Sequence, residues 1–409
     1  MKNLLLKLLW TSLKIPAQIL LFRFQPHIIA ITGSVGKTTT KDAIAWVLNK
    51  NLYLHKFGVR KNHGNLNTEL GVPLTILGFK DTAQGMMWVI YIFIAFFRAI
   101  FVFKYPKTLI LEMAADKPGD IKYLTSFIKP HTSIVTNIGP AHLQAFKSIE
   151  KITQEKSILI KVLTENNQAI LNIDDENTRK MGFQTKAKVI YFGQSNDANI
   201  YIDNIQENKD GLHAKIHFGG STAPLFMKSV GKSNIYAALA SISVACEVFG
   251  IDLIEATKNL SDFQPSKGRG GVLVGRRHCT IIDDTYNANP LSMQAAFEYL
   301  NVLAKSDNKK IIILGEMLEL GVKSDSYHQQ VGKLAGDSAD YVLAVGGQAN
   351  NYIKGAKQSI ENINNLQQFS KPEEAVEYIL KIISKNDIIL VKGSRGAKME
   401  RVVQTLLKK

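Results

Sequence analysis

Residues 30–41 read Ala-Ile-Thr-Gly-Ser-Val-Gly-Lys-Thr-Thr-Thr-Lys, and no other stretch limits the fold as narrowly. An apolar run at 28–31 enters a glycine-rich turn, and Ala43, Ile44, Val47 and Leu48 behind it follow helical spacing. Strand, turn and helix in that order describe a phosphate-binding loop. Gly33 and Gly36 let the backbone fold close around an anion, with the N–H groups of Ser34, Val35 and Thr39 available around it. Lys37 can reach outer phosphates, and the Thr38 hydroxyl can sit on Mg²⁺. The helix N-terminus adds positive potential. The spacing is Gly-x-x-Gly-Lys-Thr, shorter than the usual Gly-x4-Gly-Lys-Thr. The expected ligand is ATP; the loop alone leaves open what the ATP drives.

A chain of 409 residues has room for two or three domains. Its net charge of +15 favours anionic partners, nucleotides or anionic lipid among them. No basic patch is interleaved with aromatics, so nucleic acid is not expected as a partner. Cys246 and Cys279 have no metal-ligand neighbours at useful spacing and read as free thiols in a reducing cytoplasm.

Two apolar segments stand out. Residues 1–24 pair Leu5, Leu6, Leu9 and Leu13 with Lys2, Lys7, Lys14 and Arg23. The lysines interrupt the run and no small-residue cleavage site follows, so no signal peptide is expected. An interfacial helix and a helix packed on its own protein both fit. Residues 86–103 border on membrane-spanning length, with Arg98 the one charge. A single crossing would separate the phosphate loop from everything after it. That leaves a hairpin dipping into one leaflet, an interfacial helix or a buried helix, with association at a membrane surface favoured.

Between 28 and 265, apolar runs at 28–32, 108–112, 133–136, 168–172 and 189–192 alternate with amphipathic stretches, which predicts a mostly parallel α/β sheet. Short alternating runs at 197–228 predict a small antiparallel patch, followed by a helix at about 234–249. Pro265-Ser-Lys-Gly-Arg-Gly-Gly reads as a linker. Strand candidates at 280–284, 311–314, 341–345 and 387–391 then predict a second doubly wound domain over 266–409.

Several of these runs end in chemistry. Glu112 closes an apolar strand, where doubly wound sheets bind ligands, and a carboxylate there can hold Mg²⁺. Thr136-Asn-Ile-Gly-Pro-Ala-His142 follows the next strand, and Lys156 lies in the helix after it. Asp283 and Asp284 precede Thr-Tyr-Asn-Ala-Asn-Pro, a polar rim that a simple turn would also explain. Lys392-Gly-Ser-Arg395 puts two cations after the last strand, enough to clamp an anion.

Together these segments resemble the Mur ligase family over about 28–409. The motifs are Thr-Gly-Ser-Val-Gly-Lys-Thr-Thr at 32–39, Asn-Leu-Asn at 65–67 with Gly71-Val-Pro, Glu112-Met, Thr-Asn-Ile-Gly-Pro-Ala-His-Leu at 136–143, Asp-Asp-Thr-Tyr-Asn-Ala-Asn-Pro at 283–290, Gly-Glu-Met-Leu-Glu-Leu-Gly at 315–321 and Lys-Gly-Ser-Arg at 392–395. The resemblance implies a central ATPase domain and a Rossmann-like C-terminal domain. It implies amide-bond formation through an acyl phosphate, with ATP and Mg²⁺. The Tyr-Asn-Ala-Asn-Pro and Met-Leu-Glu-Leu-Gly pieces point to addition of D-alanyl-D-alanine to a muramoyl-peptide carboxylate in peptidoglycan precursor synthesis. A Mur-type ligase for another carboxylate, or a non-catalytic nucleotide-binding scaffold of a membrane-associated cell-wall complex, are the alternatives.

Carried over by position, Lys37 contacts phosphates, Thr38 and Glu112 resemble ligands of a first Mg²⁺, and His142 of a second. Lys156 matches a lysine that the family carbamylates. Asn234, Arg269 and Asp284 resemble nucleotide-side residues. Asn65, Asn67, Thr136, Asn137, Asn287, Asn289, Lys392 and Arg395 fall on the substrate side. The resemblance also shows departures. Only about 27 residues precede the first strand, where the family carries a domain for the uridine-diphosphate sugar. The run at about 82–107 looks like an insertion, and Ser233 and Ala237 stand where His and Asn are usual. The combined expectation is a cytoplasmic enzyme at the inner face of a membrane, held there through 1–24 and 86–103.

Overall fold

The computed structural model describes residues 2–51, 56, 58–208, 210–305 and 307–407, with side chains of the first helix described from residue 9 onward. The expectations for Lys2, Leu5, Leu6 and Lys7 as side chains therefore lie outside the described residues.

The parallel runs form strands because they are apolar enough to be covered on both faces. β1 (His27–Thr32) and β3 (Thr108–Glu112) are buried almost throughout. With β2 (Val59–Lys61), β4 (Thr132–Val135), β5 (Gln168–Asn172), β6 (Lys188–Gly193), β7 (Ile200–Asn208), β8 (Gly211–Phe218) and β9 (Ser221–Met227) they make one sheet in the order β2-β3-β1-β4-β5-β6-β7-β8-β9. Pairing is parallel from β2 to β7 and antiparallel from β7 to β9. The predicted antiparallel patch is thus a continuation of the main sheet rather than a separate element, because Phe192 and Gly193 at the end of β6 pair with the start of β7.

Alternate residues of β1 feed two cores. Ile29 and Ile31 face α2 (Lys37–Lys50), whereas Ile28 and Ala30 face the opposite layer. That second layer contains α1 (Lys2–Phe24) and α3 (Met87–Phe101). It also holds Ile152, Leu159 and Ile160 of α4 (Ile149–Lys161). Leu13, Ala17 and Leu20 of α1 are buried in it, so α1 is a helix packed on its own protein. On α3 only Ala95 and Ala99 are buried. Among the described residues no helix is long and apolar enough to cross a membrane.

α5 (Lys232–Ser243) packs on the α2 face and runs into a π-helical turn at Val244–Val248. Gly271 then opens β10 (Gly271–Val274), the edge of a second sheet with β11 (Thr280–Asp284), β12 (Lys310–Leu314), β13 (Tyr341–Val345), β14 (Leu366–Phe369) and β15 (Ile388–Lys392). The order is β10-β11-β15-β12-β13-β14, with β10 antiparallel and the rest parallel. β2, β10 and β14 carry no signal in the sequence because each is a three- or four-residue edge strand. Cys246 and Cys279 are both buried and free.

Candidate active site

The order of the first sheet reverses at β1, which pairs with β3 on one side and β4 on the other. The crevice at such a switch point is where ligands bind in doubly wound sheets. The loop after β1 lies there, and its shape depends on two glycines. Gly36, at φ 84°, starts α2 with no side chain capping the first turn. Gly33, at φ 147°, passes so close to β4 that a Cβ would sit 2.0 Å from Thr136 Oγ1.

The segment after β4 holds the loop from below. Thr136 Oγ1 donates to Val35 O at 2.6 Å. Asn137 Oδ1 accepts from Val35 N at 2.8 Å, and its Nδ2 donates to Val35 O at 3.1 Å. Ser34 N donates to Asn137 O, and Ser34 Oγ to Gly139 O. Both Thr136 and Asn137, expected on the substrate side, have their side-chain hydrogen bonds directed at the loop, and neither lines the cleft.

Glu112, at the end of β3, is buried beside the loop. Thr38 Oγ1 lies 2.9 and 3.0 Å from its two carboxylate oxygens. Asn67 Nδ2 donates to Oε1 at 3.0 Å and Lys41 Nζ to Oε2 at 3.2 Å. Its backbone N–H donates to Asn62 Oδ1 at 2.6 Å. Burial alone would push the Glu112 carboxyl up; Lys41, then Lys37 and Arg269, bring it below its usual range. A buried carboxylate kept ionised beside a hydroxyl is a hard-oxygen donor set that suits Mg²⁺ completed by phosphate oxygens and water. Among the described residues no cluster of three His, Cys, Asp or Glu forms a self-sufficient metal cage.

Lys37 Nζ donates to Gly33 O at 2.8 Å, folded over the loop. Burial pushes its ammonium down, and Glu112 opposes this. His142, at φ 54°, caps the short helix Leu143–Phe146 from outside. Its Nδ1 is 2.5 Å from Glu319 Oε2, and its Nε2 is 3.6 Å from Asp116. Lys156, on α4, is 2 % exposed. Burial, then the charge of Lys37, pushes its ammonium down to about 7, against the opposing pull of Asp116, Glu155 and Asp120. The neighbouring Glu155 accepts from Gly119 N and Ile121 N, which fixes the start of the short helix Asp120–Thr125.

The second sheet supplies the facing wall. Arg269, in the linker, donates from Nη2 to Thr38 Oγ1 at 2.9 Å, and its guanidinium lies 3.9 Å over the Tyr286 ring. Lys392, ending β15, is buried and pairs with Asp284, ending β11, at 2.6 Å; it also donates to Asn287 O at 2.9 Å. Asn289 is the N-cap of α6 (Pro290–Leu303), where its side chain accepts from Ser292 N at 2.9 Å in a reciprocal capping box. Asn287 Oδ1 accepts from Ala288 N. Arg395 is exposed and 3.7 Å from Glu400. Asn234, on α5, donates to Val230 O at 2.7 Å.

A cleft of about 550 Å³ opens between the two walls. It brings together the loop from Ser34 to Thr39, Asn65, Asn67, Glu112, His142, Asn234, Arg269, Asp284, Asn287, Asn289, Lys392 and Arg395. Gly33 and Lys156 lie behind its lining. Three contributors went unassigned in the sequence. Lys41 had a signal, since it lies one helical turn after Lys37 and so shares its face. Glu319 lay inside the 315–321 motif but was given no role, and Asn62 had no signal, because its partners are distant in sequence.

A phosphate loop at a switch point, faced by a second α/β sheet across a polar cleft, defines a two-sheet nucleotide-dependent enzyme. The chain belongs to the Mur ligase family of ATP-dependent ligases: the Mur ligase middle domain matches residues 31–245 and the Mur ligase, glutamate ligase domain matches 268–395. It is 30% identical over 398 residues to the UDP-N-acetylmuramoyl-tripeptide--D-alanyl-D-alanine ligase of Bacillus subtilis (strain 168), covering 97% of this chain and 79% of that one. Among solved structures it is similar to MurF of Acinetobacter baumannii, with a TM-score of 0.82, 26% identity and coverage of 98% and 81% of the two chains. MurF ligase of Thermotoga maritima in complex with ADP gives a TM-score of 0.78 at 26% identity, covering 97% and 83%.

Proposed function

We propose that this chain joins D-alanyl-D-alanine to the terminal carboxylate of a muramoyl-peptide acceptor at the expense of ATP, in the cytoplasm. The observation that carries the reading is the single cleft with the phosphate loop, Thr38 and Glu112 on one wall and Asp284, Lys392 and Arg395 on the other. A division into an ATPase domain at 28–265 and a C-terminal domain at 266–409 puts one reactant on each side.

In this reading Lys37 and the amides at the start of α2 hold the phosphates of ATP, since Ser34 N and Val35 N already donate to Asn137. Thr38 and Glu112, with His142 at a second position, would hold Mg²⁺, which would supply charge neutralisation at the transferring phosphoryl group. The acceptor carboxylate oxygen attacks the γ-phosphorus; the bond to the β-γ bridging oxygen breaks, leaving ADP and an acyl phosphate. The dipeptide amine then attacks the acyl carbon, phosphate leaves with the C–O electron pair, and the amine loses a proton. Lys392 and Arg395 supply positive charge for the dipeptide carboxylate, with Asn287 beside them. Asn65 and Asn67 lie on the acceptor side. Lys156 with its ammonium pushed down to about 7 is substantially an amine near neutral pH. Its nitrogen can therefore add to CO₂ and release a proton, giving a carbamate that faces Lys37.

Phosphate release measured with ATP, Mg²⁺, UDP-muramoyl-tripeptide and D-alanyl-D-alanine tests the reading. Release should require both organic substrates and vanish in Lys37→Ala. Turnover indifferent to the dipeptide would overturn it. A separate part of the reading is contact with a membrane surface through 86–103, supported by the exposed apolar side of α3; the described part of 1–24 packs on the protein instead.

A further inference from the structure

α3 has two unlike faces. Ala95 and Ala99 point inward, and their small size lets α1 pack closely through Leu13, Ala17 and Leu20. Trp88, Tyr91 and Ile94 fill the same side. Outward, Met86, Ile90, Phe93, Phe97 and Ile100 recur at spacings of three and four, so they form one stripe. Phe93 is 72% exposed, and Phe103 just beyond the helix is 85% exposed.

Three further observations say what covers this stripe. First, the one charge inside the helix is turned away from it: Arg98 Nη1 donates to Leu77 O at 2.9 Å, and its guanidinium lies 4.5 Å over Phe79. Second, carbonyls at the end of α3 have a protein partner: Arg23 of α1 donates to those of Ala99, Ile100 and Val102, which holds a guanidinium at headgroup level beside the helix end. Third, the surroundings are cationic. No Asp or Glu occurs at 1–41 or at 82–111. Lys80 follows Phe79, whose ring stacks on Tyr91 in the first half of α3, but the exposed Asp81 beside it offsets its charge. Lys104 follows the helix end and is exposed with no acidic residue between 82 and 111, so the cationic character is concentrated at the C-terminal end of the stripe.

We infer that the outer face of α3 is a docking surface for an anionic lipid bilayer, with the helix lying in the plane of the interface. Fifteen residues span about 22 Å of helix, short of the roughly 30 Å hydrocarbon core, so the helix rests on one leaflet. The phenylalanines enter the acyl boundary while Lys104 and Arg23 at the helix end meet headgroup phosphates. A second copy of this chain fits less well, because a two-fold contact would bring like charges together around the patch. The inference rests on the membrane part of the functional reading and is independent of the ligase chemistry.

Flotation of the full chain with vesicles tests it. The protein should float with phosphatidylglycerol-rich vesicles, less so at high salt, and stay down with pure phosphatidylcholine. Phe93→Asp/Phe97→Asp should lose binding by more than tenfold, and Lys104→Gln by about fivefold. Each variant is checked by ADP–Mg²⁺ binding, which these surface changes leave intact. Absence of flotation by the wild type overturns the inference, as does full binding by the double Asp variant. A dimer in sedimentation equilibrium that the double Asp variant dissociates, without lipid binding, assigns the face to a second copy and also overturns it. Loss of ADP binding by the wild type would instead sink the ligase reading.

Discussion

Lys41→Met tests the buried charges under the phosphate loop. Lys41 Nζ is 3.2 Å from Glu112 Oε2, and both side chains are 2% exposed. Methionine keeps the length of the side chain and removes its charge. Breaking a buried pair by removing one partner costs about 3–5 kcal/mol when nothing else compensates the remaining charge. Lys37 and Arg269 still act on Glu112, and Thr38 and Asn67 still donate to it. The expected loss is therefore at the low end, about 3 kcal/mol, or roughly a hundredfold in the folding equilibrium. Urea denaturation read through tryptophan fluorescence reports it; of the three tryptophans, Trp46 lies on α2 with Lys41 and donates to Asn259 O. The midpoint should fall with the slope unchanged. The pH dependence has a definite sign. Glu112 has a folded pKa below its unfolded value, so its contribution is present above the unfolded pKa of about 4.5 and is lost as pH falls through the folded one. Lys41→Met should thus be most destabilised at neutral pH, with the deficit shrinking in acid. Glu112→Gln and the double variant complete a cycle with coupling above about 1 kcal/mol. A Lys41→Met loss under about 1 kcal/mol at neutral pH, or no coupling, would refute the argument.

Other consequences follow from single groups. Lys156 titrates near 7 when folded and near 10.5 when unfolded, so the unfolded chain binds the extra proton between those values. Stability relative to Lys156→Met should rise across that window at up to about 1.4 kcal/mol per pH unit in CO₂-free buffer; a flat difference would count against a buried amine. Asn137→Ala removes both side-chain bonds to Val35 and should cost about 1–3 kcal/mol while weakening ADP binding by calorimetry. Unchanged affinity would mean the loop holds its shape without it. Arg269→Ala removes the bond to Thr38 and should raise the KM for ATP about tenfold, with little change in melting temperature.

The phosphate loop was legible because its information is local: the glycines, Lys37 and Thr38 lie within one strand–turn–helix unit. Glu112, Asp284 and Lys392 were legible for a related reason, each being a polar residue that ends an apolar run. In a parallel sheet such residues arrive at the same edge, whatever the strand order. Thr136 and Asn137 show the limit of this. Their position after β4 suggested the substrate side, but only the fold shows their side chains bonded to Val35. Asn289 likewise lines the cleft while its side-chain Oδ1 caps a helix.

The sequence by itself determined the α/β alternation, the two sheets and the strand ends that carry chemistry, because periodicity and strand termini are properties of short segments. The tertiary structure alone decided that β1 is the switch point and that the antiparallel strands extend the main sheet. It also decided that Lys41 serves Glu112, and that Glu319 reaches His142 from the far wall. These depend on which distant segments pack together. The same holds for the two apolar stretches: composition gave both the same character, and packing buried the described face of α1 while leaving the outer face of α3 open.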